Sequence, residues 1–387
     1  MFDESIIRHL YVHVPFCARK CEYCAFYSEA AGGELINRYV EALICEMGLV
    51  AAELKPQTIF FGGGTPSLLN LRQWERILNA MSRLNLTGAA EWTVECNPAT
   101  VSIDKARLLR DGGVNRISMG AQSFDEALLD RLGRVHGREM IFRSFDILRA
   151  AGFDNVNLDL MFAIPGQTLE TWRRTLAEAL ALGSEHLACY EVIYEEDTPL
   201  FAQLQAGKIN VDDDLACAMY DELLAATAAG GLEQYEVANF ARRGAAAHGE
   251  VPDRGCLHNI NYWRGGSFHG LGPGATGYLR GIRARNWANT TLYCEELERG
   301  RRAIEWSEEL APLARAGEIA AFGLRMTAGW PLEQFERRTG FDLRKEWKSE
   351  IGRIVEMGYG TLDPQRFQLN ATGLRFADWA GSEFLRS

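Results

Sequence analysis

Residues 17–24 read Cys-Ala-Arg-Lys-Cys-Glu-Tyr-Cys, which places Cys17, Cys21 and Cys24 on one short segment with the spacing C-x3-C-x2-C. Cysteine thiolates are the usual ligands of iron–sulfur clusters, and this spacing lets three of them meet three corners of a cube. A structural zinc site is the alternative, but it needs four ligands, commonly in two separated pairs. His13 is near in sequence, yet it lies on an apolar segment where a histidine is more often a satisfied core residue. The segment therefore favours an iron–sulfur cluster with one position open to a ligand.

Composition restricts the class of protein. The chain has 387 residues and a net charge of -11, which suits one large and one smaller domain and argues against a basic nucleic-acid-binding face. Residues 1–5 lack the basic-then-apolar order of a signal peptide, and no apolar run is long enough to span a bilayer. Nine cysteines are an odd number, which argues against a disulfide framework. We expect a cytoplasmic protein with at most peripheral membrane contact.

The first two thirds of the chain alternate strand-like and helix-like segments. The strand-like segments are residues 10–14, 58–61, 92–94, 116–119, 156–161 and 186–190. The helix-like segments between them include residues 34–53, 71–84, 106–110 and 170–182. Repeated β–α units predict an α/β fold with a parallel sheet, in the form of a complete or partial (β/α) barrel.

Unusual residues follow the strand-like segments one after another. The cysteines follow the first, Gly62–Pro66 the second, Glu95–Pro98 the third and Gln122–Phe124 the fourth. In (β/α) barrels the chemistry gathers at the carboxyl ends of the strands, so these four groups are expected at one edge of the sheet. By itself each group has an ordinary explanation, because the glycines suit a tight turn and Glu95 suits the surface.

Together with the cysteines, these strand ends resemble the radical S-adenosylmethionine (radical SAM) superfamily. The resemblance implies that the open iron of a [4Fe–4S] cluster chelates S-adenosylmethionine. An electron from the reduced cluster would then cleave the sulfonium to methionine and a 5′-deoxyadenosyl radical. Gly62–Pro66 is similar to the superfamily's loop for the methionine amino group, and Glu95 is similar to an acid that contacts bound S-adenosylmethionine.

Three longer stretches, residues 11–17, 59–67 and 120–124, narrow the resemblance to the oxygen-independent coproporphyrinogen III oxidase group, and the likeness covers nearly the whole chain. Matching positions in that group touch two S-adenosylmethionine molecules. The resemblance implies that the first molecule is contacted by Tyr11, Gly63 and Glu95. It implies that the second site, or its equivalent, is formed by Tyr23, Gly64, Thr65, Gln122, Arg134 and Asp159, with a backbone contact from Ile193.

Two features separate the branches of this group. The oxidases carry a further cysteine two residues after the third, whereas this chain has Phe26 there, which resembles the HemW haem-chaperone branch. That branch often has Asp where this chain has Ala25. The second feature is an H-N-x-x-Y-W motif, which the branch associates with haem binding and which consists here of His258, Asn259, Tyr262 and Trp263.

The motif suits haem in chemical terms. A histidine can ligate haem iron, and Tyr262 and Trp263 could pack on a porphyrin face. Cys256 is a second candidate iron ligand. The alternative is that His258 caps a helix or joins a buried polar network while Tyr262 and Trp263 fill core space. The resemblance favours haem over this alternative.

We expect a radical SAM barrel domain over residues 1–300 and a small, mostly helical, winged-helix-like domain over residues 301–387. The expected function is that of a haem chaperone which binds haem, a [4Fe–4S] cluster and S-adenosylmethionine and delivers haem to recipient haemoproteins. It would act as a monomer or a homodimer and cleave some S-adenosylmethionine. Coproporphyrinogen oxidase activity is not expected. The alternative is a radical SAM enzyme, either a porphyrin oxidase or a small-molecule methylase or cyclopropanase. A nucleic-acid binder is a weaker third reading.

Overall fold

The computed structural model describes residues 6–244 and 250–386. The expectation about a signal peptide concerns residues 1–5, which lie outside these ranges. The first two thirds of the chain form six β–α units. The strands are β1 (Ile7–Val14), β2 (Leu54–Gly63), β3 (Glu91–Cys96), β4 (Arg116–Gln122), β5 (Val156–Phe162) and β6 (His186–Glu191). The helices between and after them are α1 (Gly33–Val50), α2 (Leu71–Arg83), α3 (Ile103–Asp111), α4 (Glu126–Arg131), α5 (Arg138–Ala150), α6 (Leu169–Ala181), α7 (Pro199–Gln205) and α8 (Asp213–Ala229).

The six strands are parallel and lie in chain order across one sheet. The strand segments are buried almost throughout, and along β3, β4 and β5 polar residues alternate with apolar ones. The sheet continues beyond β6 through β8 (Asn239–Ala241), which is antiparallel to β6, and then through β7 (Glu233–Glu236), which is antiparallel to β8. Beyond β1 it continues through β9 (His269–Leu271), which is parallel to β1. The predicted α/β fold with a partial barrel is confirmed.

A short helix, α9 (Leu257–Trp263), precedes β9. A three-stranded antiparallel sheet follows, made of β10 (Thr276–Leu279), β11 (Ile282–Asn286) and β12 (Ile304–Glu309), with α10 (Thr290–Glu298) before its last strand. Because β12 pairs with β11, it belongs with the elements that precede it. The predicted boundary between residues 300 and 301 therefore falls ahead of β12.

The C-terminal part has a hydrophobic core of its own, built around Trp330, Phe335, Trp347 and Phe384. Its helices are α11 (Pro312–Gly323), α12 (Leu332–Thr339), α13 (Leu343–Glu346), α14 (Lys348–Glu356), α15 (Ala371–Leu374) and α16 (Ala377–Ser382). Its strands are β13 (Trp330–Pro331), β14 (Gly360–Leu362) and β15 (Arg366–Leu369), with β15 in the middle of the sheet. Helices with a small antiparallel sheet agree with the winged-helix-like expectation. In the described ranges no helix has both the length and the apolar character needed to cross a membrane.

Candidate cofactor site

The three cysteines lie on the loop that leaves the carboxyl end of β1. Cys17, Cys21 and Cys24 are all half-buried and unpaired by disulfides. Arg134 donates from Nη1 to Cys21 Sγ at 3.2 Å, and Cys17 Sγ lies 3.5 Å from Thr65 Oγ1. The N–H of Arg134 directed at the Cys21 sulfur suits a thiolate ligand of a cluster, whose negative charge it stabilises. The donor set and its surroundings therefore fit an iron–sulfur cluster.

A zinc site would need a fourth ligand in addition to the three cysteines. Across residues 6–244 and 250–386, no three His, Cys, Asp or Glu side chains form a group that could hold a single metal ion. His13, the nearest candidate for a fourth ligand, is 4% exposed, and its Nδ1 and Nε2 are hydrogen-bonded to Tyr11 Oη and to the Tyr27 carbonyl. The prediction that His13 is a satisfied core residue is confirmed.

The glycine segment at the end of β2 is pressed against β1. Gly63 has φ +106°, and a Cβ placed there would lie 2.4 Å from the His13 ring, while a Cβ on Gly64 would lie 2.8 Å from the Phe16 carbonyl oxygen. The backbone of this segment crosses the start of the cysteine loop, since Thr65 N–H donates to the Phe16 carbonyl at 2.8 Å. Glycine is therefore required here by protein packing, whether or not a ligand also approaches.

Glu95 faces this segment from the neighbouring strand β3. Its Oε2 accepts the Gly63 N–H at 3.1 Å. Burial raises the pKa of Glu95 to about 8, and the negative charge of Asp159 adds to the rise. Tyr11 lies on the adjoining strand β1, with its Oη 2.9 Å from His13 Nδ1, and burial raises its pKa as well. The structure thus brings the three residues implied for a first S-adenosylmethionine, Tyr11, Gly63 and Glu95, to neighbouring positions.

Among the residues implied for the second site, Arg134 contacts the cysteine loop and Asp159 lies on β5. Arg134 joins the Cys21 sulfur to the carbonyl of Gly120, which its Nη2 reaches at 2.8 Å. Asp159 accepts hydrogen bonds from Ser118 Oγ and Asn157 Nδ2, and burial raises its pKa although both of these hydrogen bonds and nearby arginines oppose the rise.

Other residues implied for the second site differ in packing, backbone conformation and exposure. Tyr23 packs against a small apolar cluster that includes Leu132 and Leu200, and burial raises its pKa. Gln122 has φ +67°, a conformation that ordinary side chains rarely adopt and that is often found at functional sites. Ile193 lies just beyond β6 and is 66% exposed, so its side chain is the least enclosed of those implied for S-adenosylmethionine.

The H-N-x-x-Y-W motif forms most of α9, which contacts the barrel on the side away from the cysteine loop. His258 is 1% exposed. Its Nδ1 lies 2.7 Å from Thr58 Oγ1, and its Nε2 lies 2.7 Å from Tyr262 Oη. Both ring nitrogens are therefore occupied, and His258 offers no free nitrogen to an iron atom in this conformation. The alternative drawn from the sequence, a buried polar network, describes this state.

The other motif residues divide between the barrel and the C-terminal part. Asn259 is half-buried in the first turn of α9. The Trp263 ring lies 6.3 Å from that of Phe322, with the Arg325 guanidinium 5.2 Å from its centre. Cys256 is buried beside Glu91, and burial raises its pKa to about 12, which disfavours the thiolate that a metal would need.

Sequence reasoning missed the residues that hold α9 in place. Glu91 accepts the N–H groups of Leu257 and His258 at 2.8 and 3.0 Å, and Tyr235 Oη accepts that of Cys256 at 3.1 Å. The available signal was an acidic residue next to the apolar strand segment 92–94. Only the fold reveals that this carboxylate meets a helix 166 positions further along the chain.

Comparisons with known proteins agree with this architecture. The model of the radical SAM superfamily matches residues 11–179, and the model of the HemN C-terminal domain matches residues 310–376. Among solved structures, coproporphyrinogen III oxidase (HemN) from Escherichia coli superposes with a TM-score of 0.82 over 99% of this chain and 91% of its own. Its sequence is 20% identical, so the likeness shows a shared fold.

Relatives of higher identity carry another name. The protein named heme chaperone HemW from Lactococcus lactis subsp. lactis (strain IL1403) is 34% identical over 97% of this chain and 96% of its own length. The protein of the same name from Escherichia coli (strain K12) is 38% identical over 95% of each chain. Since both matches run through the barrel and the C-terminal part, this chain belongs to the HemW haem chaperone family of the radical SAM superfamily.

Proposed function

We propose that this protein is a cytoplasmic haem chaperone, which binds haem and transfers it to recipient haemoproteins, as a monomer or homodimer and without a role for nucleic acid. The observation that carries the proposal is the match, at 34% and 38% identity and over nearly the full length, to proteins named heme chaperone HemW. The net charge of -11 supports a protein partner over a nucleic acid.

The residue at the branch point favours a chaperone over an oxidase. Phe26 stands where the oxidases that the sequence resembles have a further cysteine, and its side chain is 68% exposed on the cysteine loop. An exposed phenyl ring can contact an apolar ligand but can neither ligate iron nor exchange a proton or hydrogen atom as a thiol can. We infer that the chain lacks a group that the oxidase reaction would use at this position.

In this proposal Cys17, Cys21 and Cys24 hold a [4Fe–4S] cluster, which supplies a reducing electron and an iron that can chelate S-adenosylmethionine when bound. Tyr11, Gly63 and Glu95 line the place of a first S-adenosylmethionine. The second place is lined by Tyr23, Gly64, Thr65, Gln122, Arg134, Asp159 and Ile193. Arg134 orients the cluster loop through the Cys21 sulfur, and Glu95 holds the glycine segment through Gly63.

An absorbance titration tests the function. Anaerobically reconstituted protein is titrated with haem, with and without its cluster, and is assayed separately with coproporphyrinogen III and S-adenosylmethionine. We expect a saturable Soret band and no protoporphyrinogen IX. Robust oxidase turnover without saturable haem binding would establish the enzyme alternative instead.

The cluster is tested in the same preparations. Alanine at Cys17, Cys21 or Cys24 should each abolish iron and sulfide incorporation, because a cube held by three thiolates loses a corner. Cys45→Ala is the matched control, since Cys45 is exposed on α1. Full iron content in the Cys21 variant would contradict the assignment.

A further inference from the structure

Side chains on neighbouring strands of the barrel form rows across the sheet, and α9 lies against the row nearest the amino ends of the strands. His9, Thr58 and Glu91 are register partners across β1, β2 and β3 near the amino ends of these strands. The next row toward the cysteine loop contains Tyr11 and Phe60. Alternate residues of a strand share a face, so His9, Tyr11 and His13 form one column on β1. That column leads from α9 toward the glycine segment.

Hydrogen bonds connect His258 to the row formed by His9, Thr58 and Glu91. Thr58 Oγ1 bridges two histidines, with His9 Nδ1 at 2.8 Å and His258 Nδ1 at 2.7 Å. Burial lowers the pKa of His258 to about 3, so the ring is neutral and has one donor and one acceptor nitrogen. Both are used, by Thr58 and Tyr262. Ligation of iron would require His258 to abandon one of these bonds and α9 to leave its place.

The ring of His258 supports the next row through stacking. Its centre lies 5.4 Å from that of Phe60, with the planes 28° apart. Phe60 lies 6.3 Å from Tyr11, whose Oη meets His13, and the His13 ring fills the space beside Gly63. A continuous series of packed side chains therefore joins His258 to Tyr11 and Gly63.

The helix that carries His258 is held at both ends. Glu91, buried in β3, accepts two N–H groups of its first turn, and the last turn places Trp263 against Phe322 and Arg325 of the C-terminal part. A histidine that has to leave its hydrogen bonds to ligate haem iron would be expected on an element with few such restraints, because local opening is easiest there. The restraints on α9 instead suit a rigid support.

We propose that His258 is a positioning residue, which supports Tyr11 through Phe60 and so shapes the site of the first S-adenosylmethionine. In this proposal a residue other than His258 ligates the haem iron. The inference rests on the proposed function only in treating Tyr11 as a contact of S-adenosylmethionine. Haem titration of the unmodified protein decides the proposed function separately.

Two substitutions distinguish support from ligation. His258→Ala removes the ring, whereas His258→Phe keeps a ring that can stack on Phe60 but cannot bind iron. In reconstituted protein, the S-adenosylmethionine concentration that half-saturates the change in the EPR spectrum of the reduced cluster should rise about tenfold for His258→Ala. His258→Phe should restore most of the affinity. The haem affinity and Soret maximum of both variants should equal those of the unmodified protein.

The result that would overturn the proposal is a shifted Soret maximum or weakened haem binding in folded His258→Phe. Unchanged S-adenosylmethionine affinity in folded His258→Ala would also overturn it. If His258→Ala does not fold, His258→Phe still decides whether the imidazole ligates iron. Thr58→Val, which removes the hydroxyl that orients the His258 ring, then decides the support, because it should weaken S-adenosylmethionine binding and leave haem binding unchanged. His269→Phe, at another fully buried histidine on β9, is the matched control and should alter neither affinity.

Discussion

At the scale of single residues, the site depends on where side chains are missing as well as on where they are present. Gly63 and Gly88 both have φ well above zero, +106° and +82°, so a side chain is strained at either position. They differ in their surroundings. A Cβ on Gly63 would overlap the His13 ring, whereas a Cβ on Gly88 would meet nothing within 4 Å. The pair therefore separates backbone strain from close packing.

Gly63→Ala should lower the free energy of unfolding by about 3 kcal/mol, since it adds overpacking to the backbone strain. Gly88→Ala should cost about 1 kcal/mol from the strain. Urea denaturation of both variants measures the difference. Equal losses would mean that His13 moves aside freely, and the glycine would then be explained by ligand approach and not by packing.

Glu95 gives the site a dependence on pH. Its pKa is raised from an ordinary 4.5 to about 8, chiefly by burial. Between these two values the folded chain keeps a proton that the unfolded chain releases, so the free energy of unfolding falls as pH rises across that window. Glu95→Gln should remove this contribution. The difference in unfolding free energy between unmodified and variant cluster-free protein, followed by urea denaturation from pH 5 to 8, should decline steadily. Parallel curves would contradict the raised pKa.

At the scale of elements, the sequence predicts the six strands and most of the helices because short segments rich in buried apolar residues alternate with longer amphipathic ones. It also predicts that cysteines, glycines, Glu95 and Gln122 gather at one edge, because parallel strands end together. It does not predict what α9 contacts. Register decides that His9, Thr58 and Glu91 share a row, and register depends on packing between segments far apart in the chain.

The clearest example of such a contact is the pair of hydrogen bonds by which Glu91 holds the first turn of α9. Each oxygen of Glu91 accepts one backbone N–H, and glutamine offers only one acceptor oxygen. Glu91→Gln should therefore leave one buried N–H unpaired and cost about 2 kcal/mol. Glu126 is the matched control, because it accepts the Arg138 N–H at the start of α5 from an exposed position. Glu126→Gln should cost about 0.5 kcal/mol. Urea denaturation compares the two, and similar losses would show that α9 is not held by this carboxylate.

At the scale of the whole molecule, the hydrophobic core of the barrel and that of the C-terminal part are connected by contacts of Arg264, next to the H-N-x-x-Y-W motif. Arg264, the residue after α9, donates to the Gly329 carbonyl at 2.6 Å and lies 4.9 Å from the centre of the Trp330 ring. Sequence patterns predicted a separate C-terminal unit but not this contact, since the H-N-x-x-Y-W motif ends at Trp263 and includes neither Arg264 nor its partners. Because these contacts of Arg264 tie the end of α9 to the C-terminal part, we expect the barrel and the C-terminal part to unfold together.

Arg264→Met tests this coupling, because it keeps much of the side-chain volume while removing the charge and the hydrogen bond. Arg264 is 9% exposed, so the Gly329 carbonyl loses its partner away from water, and the variant should lose about 2 kcal/mol. Arg375→Met is the control, since Arg375 also joins the two parts but does so through an exposed ion pair with Asp221, which should contribute less than about 1 kcal/mol. Scanning calorimetry should show one transition for the control and a separate, earlier transition of the C-terminal part for Arg264→Met. A single transition in both variants would mean that apolar contacts, such as that of Trp263 with Phe322, couple the two cores without the arginine.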